Sequence, residues 1–87
     1  MEYTYKTQGV CSTEIRFRLD GDVVHDVRFT GGCNGNLKAI GILVEGQRVD
    51  EIERKLRGNT CGPRDSSCAD QLARAVREAY QKQSAAV

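Results

Sequence analysis

Segment 14–29 constrains the fold most strongly, because it joins two strand patterns through a tight turn. Glu14 to Leu19 alternates charged and apolar residues, as a strand does when one face is buried and the other meets water. Asp20-Gly21-Asp22 follows, and these residue types tolerate the positive φ angles of a short hairpin turn. Val23 to Phe29 is then a β-branched run. We therefore predict an antiparallel hairpin.

The remaining elements are predicted from shorter patterns. Tyr3 to Thr7 predicts a first strand. Apolar residues spaced three and four apart predict three helices, which begin near Leu37, Val49 and Cys68. Glycines at positions 46 and 58 are placed where left-handed caps would end the first two helices. The sequence thus predicts an α+β fold, with three strands, two of them paired in the hairpin, followed by about three helices.

The length of 87 residues predicts a single domain over 1–87, with 81–87 as a polar, fraying end. A core of this size supplies only about 3–5 kcal/mol, so such domains often add a metal, disulfides or a partner chain. Lys and Arg number 13 against 12 Asp and Glu, which leaves no basic field for nucleic acid. Neither a signal-peptide pattern nor a membrane-length apolar run is present, and we expect a cytoplasmic protein.

The candidate functional residues are the four cysteines, Cys11, Cys33, Cys61 and Cys68. Each lies at a predicted strand end, in a loop or at a helix start, whereas a cysteine kept for packing is expected within an apolar stripe. Without a C-x-x-C pair, four interpretations stay open: a metal site, redox-active thiols, structural disulfides and ordinary buried cysteines. We favour metal-binding thiolates, since disulfides require an oxidising compartment.

Cys68 has the most informative local context. Ser67-Cys68-Ala69-Asp70 has the form of a capping box, in which the serine accepts a backbone N–H and the carboxylate reaches back. Cys68 is then the first helical residue, where free N–H groups and the helix dipole favour a thiolate.

Segment 30–36 is rich in glycine and asparagine and predicts a loop around Cys33. Gly32, Asn34 and Gly35 are candidate cofactor-binding residues, because glycines let the backbone approach a metal closely and donate N–H groups to sulfur. An anion-binding nest is the alternative for this loop. The single histidine, His25, falls within a predicted strand, where a packed or edge histidine is more common than a metal ligand.

Segments 32–36 and 66–73, together with Cys61, resemble the TSCPD domain family over nearly the whole chain. The Thr-Ser-Cys-Pro-Asp motif that names the family reads Ser66-Ser67-Cys68-Ala69-Asp70 here. Serine keeps the first hydroxyl, and alanine suits a first helical turn. The family occurs as small stand-alone proteins and as a C-terminal domain of cobalamin-dependent ribonucleotide reductases, so the resemblance implies a ribonucleotide reductase as partner.

Segments 21–29, 32–33 and 68–73 also resemble the U-type iron-sulfur cluster scaffold. This second resemblance implies a three-stranded antiparallel sheet followed by about three helices packed on it. It also implies that Cys11, Cys33 and Cys68 meet at one end of the molecule to hold zinc or an iron-sulfur cluster. The scaffold has an aspartate two residues after its first cysteine and often a histidine before its third, where this chain has Thr13 and Ser67.

These features together favour an accessory domain that binds zinc through Cys11, Cys33, Cys61 and Cys68, with an iron-sulfur cluster as the alternative. A fourth thiolate from Cys61 would favour a closed structural zinc site. The alternative function is a thiol redox relay, related to ribonucleoside-diphosphate reductase activity, that uses Cys61 and Cys68. The chain is too small to offer the substrate cavity and cofactor site of such a reductase within itself.

Overall fold

The structure is a computed structural model that describes residues 2–10, 12–32, 34–60 and 66–85. The chain forms three strands and then three helices: β1 (Glu2–Lys6), β2 (Ser12–Asp20), β3 (Val23–Gly31), α1 (Asn34–Val44), α2 (Val49–Leu56) and α3 (Cys68–Ala85). The strands make one antiparallel sheet in the order β1-β2-β3. The predicted α+β class, the three-stranded sheet and the order of its elements are confirmed.

The β2–β3 hairpin turns as its residue types predict. Asp20 pairs with Val23, so Gly21 and Asp22 are the two turn residues. Gly21 has φ of 63°, in the left-handed region that glycine enters without steric cost. The hairpin prediction is confirmed.

One face of the sheet forms the core with α2 and α3. Ile15, Phe17 and Leu19 are almost fully buried, as the alternation in β2 predicts. Tyr3 of β1 stacks on Phe17, with 5.8 Å between ring centroids. The other buried members of the cluster come from β3 and the helices: Val24, Val44, Val49, Ile52, Leu72, Ala73, Ala75, Val76 and Ala79.

Two irregularities interrupt the alternation of the β2–β3 pair. Between Ser12 and Glu14 the register shifts, so Ser12 turns inward and is only 2% exposed. A second shift lies opposite β2 residues 16–18 and adds one residue to β3. Asp26 sits in this bulge with φ of 57° and accepts a hydrogen bond from Arg18 Nε at 3.2 Å. Bulges reverse which residues face the core, and period-two patterns cannot show that.

The predicted glycine-rich loop over 30–36 is wrong in its bounds. β3 continues through Thr30 and Gly31, because they pair with Glu14 and Ser12 of β2. α1 already begins at Asn34, and Gly35 lies exposed in its first turn. Pairing with β2 therefore overrides the weak strand propensity of Gly31.

The connection between α1 and α2 covers the first half of the β3 edge. The Val24 N–H donates to the Gln47 carbonyl, and the Gly46 N–H donates to the Val24 carbonyl, each at 2.8 Å. Gly46 has φ of 78°, which confirms the predicted left-handed residue after α1. α1 also approaches β3 closely at Gly41, where an added Cβ would lie 2.9 Å from the Val27 carbonyl oxygen.

α3 continues past Tyr80 to Ala85, where the sequence predicts a fraying polar end. Gln83 Nε2 donates to the Gly21 carbonyl at 2.9 Å, so this last turn contacts the β2–β3 hairpin. Among the helices that the structure describes, none is long and apolar enough to cross a membrane.

Candidate functional site

Ser67 caps the start of α3. Its Oγ accepts the Asp70 N–H at 3.1 Å and donates its own proton to the Asn59 carbonyl. Cys68 is therefore the first residue of the helix, as predicted. The Asn59 contact also joins the end of the α2 segment to the residue that precedes Cys68.

The Asp70 carboxylate departs from the predicted capping box, because it bonds to groups other than the Ser67 backbone. It accepts hydrogen bonds from the Gly58 N–H at 2.7 Å, from Ser66 Oγ and from Arg74 Nε at 2.9 Å. The Asp70 side chain is buried, and Arg74 forms an ion pair with it. The aspartate of the motif thus ties the turn after α2 to α3.

Burial by itself raises the pKa of Asp70, since it removes the charged form from water. Hydrogen bonds from Ser66, Gly58 and Arg74, with the positive charge of Arg74, outweigh burial and lower the pKa of Asp70 below its ordinary value. Asp70 is consequently an ionised structural group and not a proton donor near neutral pH.

Ser66 and Gln71 extend the same network to the segment that precedes β2. Gln71 Nε2 donates to Ser66 Oγ at 2.9 Å, and the Gln8 N–H donates to Gln71 Oε1 at 3.2 Å. The side chains of Ser66 and Gln71 are buried. The first serine of the motif is therefore a bridge, because its hydroxyl donates to Asp70 and accepts from Gln71.

Ser12 lies directly against Cys68. Its Oγ is 3.1 Å from Cys68 Sγ, and either atom can be the donor. Cys68 as a residue is half-buried. Sequence patterns missed Ser12, because the register shift at the start of β2 turns it inward; its position next to Cys11 was the available signal.

Of the four predicted metal ligands, Cys68 is the one that the structure describes; Cys11, Cys33 and Cys61 lie outside the described residues. Within the described part of the chain, no group of three or more His, Cys, Asp or Glu side chains is placed to hold a metal ion.

Residues one or two positions from those three cysteines are nevertheless described, and they contact each other or the start of α3. Ser12, which follows Cys11, touches Cys68 and pairs with Gly31. Gly31 is two residues before Cys33, and Asn59 is two residues before Cys61. The start of β2, the end of β3 and the start of α3 therefore adjoin.

The predicted cofactor-binding residues lie between β3 and α1 or in the first turn of α1. Gly32 has φ of 80°, a conformation that L side chains rarely adopt, so a glycine is needed there. Asn34 and Gly35 begin α1, and a Cβ added to Gly35 would meet no atom within 4 Å. Gly35 is therefore not required for close packing.

His25 contacts the carboxylate of Glu45, the residue that follows α1. Its Nδ1 lies 2.5 Å from Glu45 Oε2, and the Asp26 N–H donates to Glu45 Oε1 at 2.9 Å. The hydrogen bonds from Asp26 and then from His25 lower the pKa of Glu45. His25 thus joins β3 to the turn that follows α1.

Fold and site define a small α+β domain whose last helix begins with a capped, half-buried cysteine. The family model of the TSCPD domain matches residues 2–80, and the chain belongs to the TSCPD domain family, which is associated with ribonucleotide reductase. No curated protein and no solved structure matches the chain. The resemblance to the U-type scaffold stays a prediction.

Proposed function

We propose that this protein is an accessory domain that binds zinc through cysteine thiolates and serves a ribonucleotide reductase. The contact between Ser12 Oγ and Cys68 Sγ carries the proposal. It brings the residue next to Cys11 against the cysteine of the family motif. Each step along the chain covers about 3.8 Å. Ser12 is one step from Cys11, and Gly31 and Asn59 are two steps from Cys33 and Cys61, so the convergence of these residues fits a site shared by several thiolates.

The chemistry of the donor set fits zinc. Thiolates are its usual ligands in structural sites, where four of them close the coordination shell. Cys68 would supply one thiolate, and Cys11, Cys33 and Cys61 would supply the others. The buried Ser12 hydroxyl is placed to donate to the sulfur of Cys68, which is the kind of hydrogen bond that orients a metal ligand. Bound zinc would supply folding energy to a small core.

Metal analysis of protein purified without a chelator tests this proposal. We expect one zinc per chain, with thiols that react only after denaturation in the presence of a chelator. Iron with visible absorbance would assign the site to a cluster instead. A metal-free native protein with all four thiols titratable would overturn the proposal.

Two variants separate metal binding from folding. Cys68→Ser should lose zinc, whereas Ser67→Ala keeps every cysteine and should retain zinc, although it loses the helix cap at a cost of about 1 kcal/mol. Equal zinc loss in both would show that the metal depends only on the fold of α3. Cys61→Ser tests the fourth ligand: unchanged zinc affinity would refute the four-thiolate form.

The contact between Ser67 Oγ and the Asn59 carbonyl favours a thiol relay as a second candidate function, since Asn59 precedes Cys61 by two residues. Cys61 and Cys68 would form a disulfide and pass two electrons and two protons to a disulfide of the reductase, which becomes two thiols. Mass spectrometry after mild oxidation should then find the Cys61–Cys68 disulfide, and its absence would refute the relay.

A further inference from the structure

A groove of about 670 Å³ runs between β3 and α1. Phe29 of β3 and Leu37 and Ile42 of α1 supply apolar lining. Arg28 and Lys38 also line the groove. Its volume is in the range of protein binding sites, and its open form suits a segment of chain better than a buried small molecule.

Among the described residues, the large apolar side chains that are exposed lie together on α1. Ile42 is 68% exposed and lines the groove, whereas Leu43 is 72% exposed and does not line it. Single exposed apolar residues are ordinary on protein surfaces. Ile42 differs because it adjoins the apolar lining and extends it toward solvent.

The charges around the groove are unbalanced. Its acidic residues are already engaged, Asp26 with Arg18 and Glu45 with His25. Arg28 and Lys38 have no ion-pair partner within the part of the chain that the structure describes. Uncompensated positive charge next to an apolar lining complements a partner that is both acidic and apolar.

The outer edge of β3 determines how an extended segment would align with the groove. Connection 46–49 covers the edge near Val24, but no backbone hydrogen bond from the described residues reaches the outer edge of segment 28–31. An edge strand with open backbone groups accepts an extended peptide as an added strand.

We propose that the groove binds an extended acidic segment of a partner protein, which adds along the β3 edge beside Phe29. Its apolar side chains would cover Phe29 and Ile42, and its carboxylates would pair with Arg28 and Lys38. This interface uses none of the four cysteines, so peptide binding and zinc binding are tested separately.

Fluorescence anisotropy tests the interface with a fluorescein-labelled peptide that alternates glutamate with valine and isoleucine. We expect binding with Kd on the order of 10 to 100 µM at low salt, weakened by added salt. A matched peptide with lysine in place of glutamate should bind at least tenfold more weakly. Equal binding of both peptides, or no binding of the acidic one, would overturn the proposal.

Charge reversal locates the site. Arg28→Glu combined with Lys38→Glu should weaken the acidic peptide at least tenfold. Arg54→Glu combined with Lys55→Glu makes the same change of charge on exposed residues of α2, outside the groove, and should have little effect. If both double variants lose the same affinity, the peptide senses only net charge and the groove is not its site.

A second pair of variants tests the apolar half of the interface. Ile42→Ser should weaken peptide binding about tenfold, whereas Leu43→Ser should not, although both residues are exposed. Sedimentation velocity gives the competing outcome: self-association that Ile42→Ser abolishes would assign the face to a second copy of the chain and overturn the peptide proposal.

Discussion

The polar groups at the start of α3 differ from the cations of the groove between β3 and α1 in whether they have partners. At the start of α3, Ser67, Asp70 and Gln71 are buried, and each has hydrogen-bond partners from another segment. At the groove, Arg28 and Lys38 are exposed cations without ion-pair partners among the described residues. A filled network holds distant segments in one arrangement, whereas unpaired charge beside apolar lining is available for a partner.

The family motif acquires a physical meaning from this comparison. Ser67 and Asp70 bridge α3 to the segment that follows α2, and Ser66 bonds to Asp70 and Gln71 at the start of the helix. They hold Cys68 at the position where β2 begins and β3 ends. The motif therefore contains both the cysteine and the residues that hold it in place.

The largest expected effect comes from breaking the α3 network. Asp70→Ala should lower the free energy of unfolding by about 3 to 5 kcal/mol, because it leaves the Gly58 N–H, the Ser66 hydroxyl and Arg74 without their acceptor. Urea unfolding followed by far-UV circular dichroism measures the loss. Asp50→Ala is the control, since the Asp50 side chain is 80% exposed and its loss should cost at most about 1 kcal/mol. Equal losses would contradict the supporting role of Asp70.

Gly41→Ala tests how closely α1 must approach β3 to form the groove. The added Cβ would lie 2.9 Å from the Val27 carbonyl oxygen, so we expect a loss of about 1 to 3 kcal/mol, although alanine favours helix. Gly35→Ala in the same helix has open space and should instead stabilise by about 0.4 to 1 kcal/mol. Thermal melts of both variants compare the two positions; opposite signs are expected, and stabilisation by Gly41→Ala would show that α1 can shift outward freely.

Ser12→Ala tests whether the hydroxyl of Ser12 supports the thiol of Cys68 at the start of α3. Loss of the contact with Cys68 should cost about 1 kcal/mol of unfolding free energy. In zinc-loaded protein it should also weaken zinc about 10- to 100-fold, as losses of outer hydrogen bonds do. Thr13→Ala removes an exposed hydrogen bond to the Thr30 carbonyl and serves as the control. Competition with a chelator measures zinc affinity, and equal affinities in the two variants would argue against a role for Ser12.

Lowering the pH should remove the stabilising contribution of Asp70 gradually, because its carboxylate becomes protonated. Because the folded-state pKa of Asp70 is lowered, its stabilising contribution is present above the unfolded value of about 3.9 and is lost as pH falls through the folded pKa. Asp70→Asn should be less stable at neutral pH and should lack this part of the acid dependence. Parallel unfolding curves in acid and at neutral pH compare it with the parent protein. If the free energy of unfolding falls equally with pH in the two proteins, Asp70 is not the titrating group.

Local patterns were sufficient where neighbours in the chain decide the structure. The hairpin at Gly21, the left-handed residue at Gly46 and the cap at Ser67 were all predicted, because each depends on one or two residue types at a turn. The loop around Cys33 was bounded too widely, since pairing with β2 draws Thr30 and Gly31 into a strand.

The partners of Asp70 and the contact of Ser12 could not be predicted from patterns. Asp70 bonds to Gly58, and Ser12 touches Cys68, which is 56 residues away in the chain. A register shift between Ser12 and Glu14 controls the second contact. Pattern analysis correctly placed Cys68 at a helix start, but it could not find the residue that touches its thiol.

Residue types and their spacing were enough to decide the order of strands and helices, the buried face of β2 and the first residue of α3. These features follow from backbone preferences and hydrophobic periodicity, which act over a few residues. Tertiary contacts decided that Ser12 faces Cys68, that Asp70 is a structural anion and that α1 approaches β3 at Gly41. The reason is physical: bulges change the facing of side chains, and the partners of buried polar groups are set by which distant segments pack together.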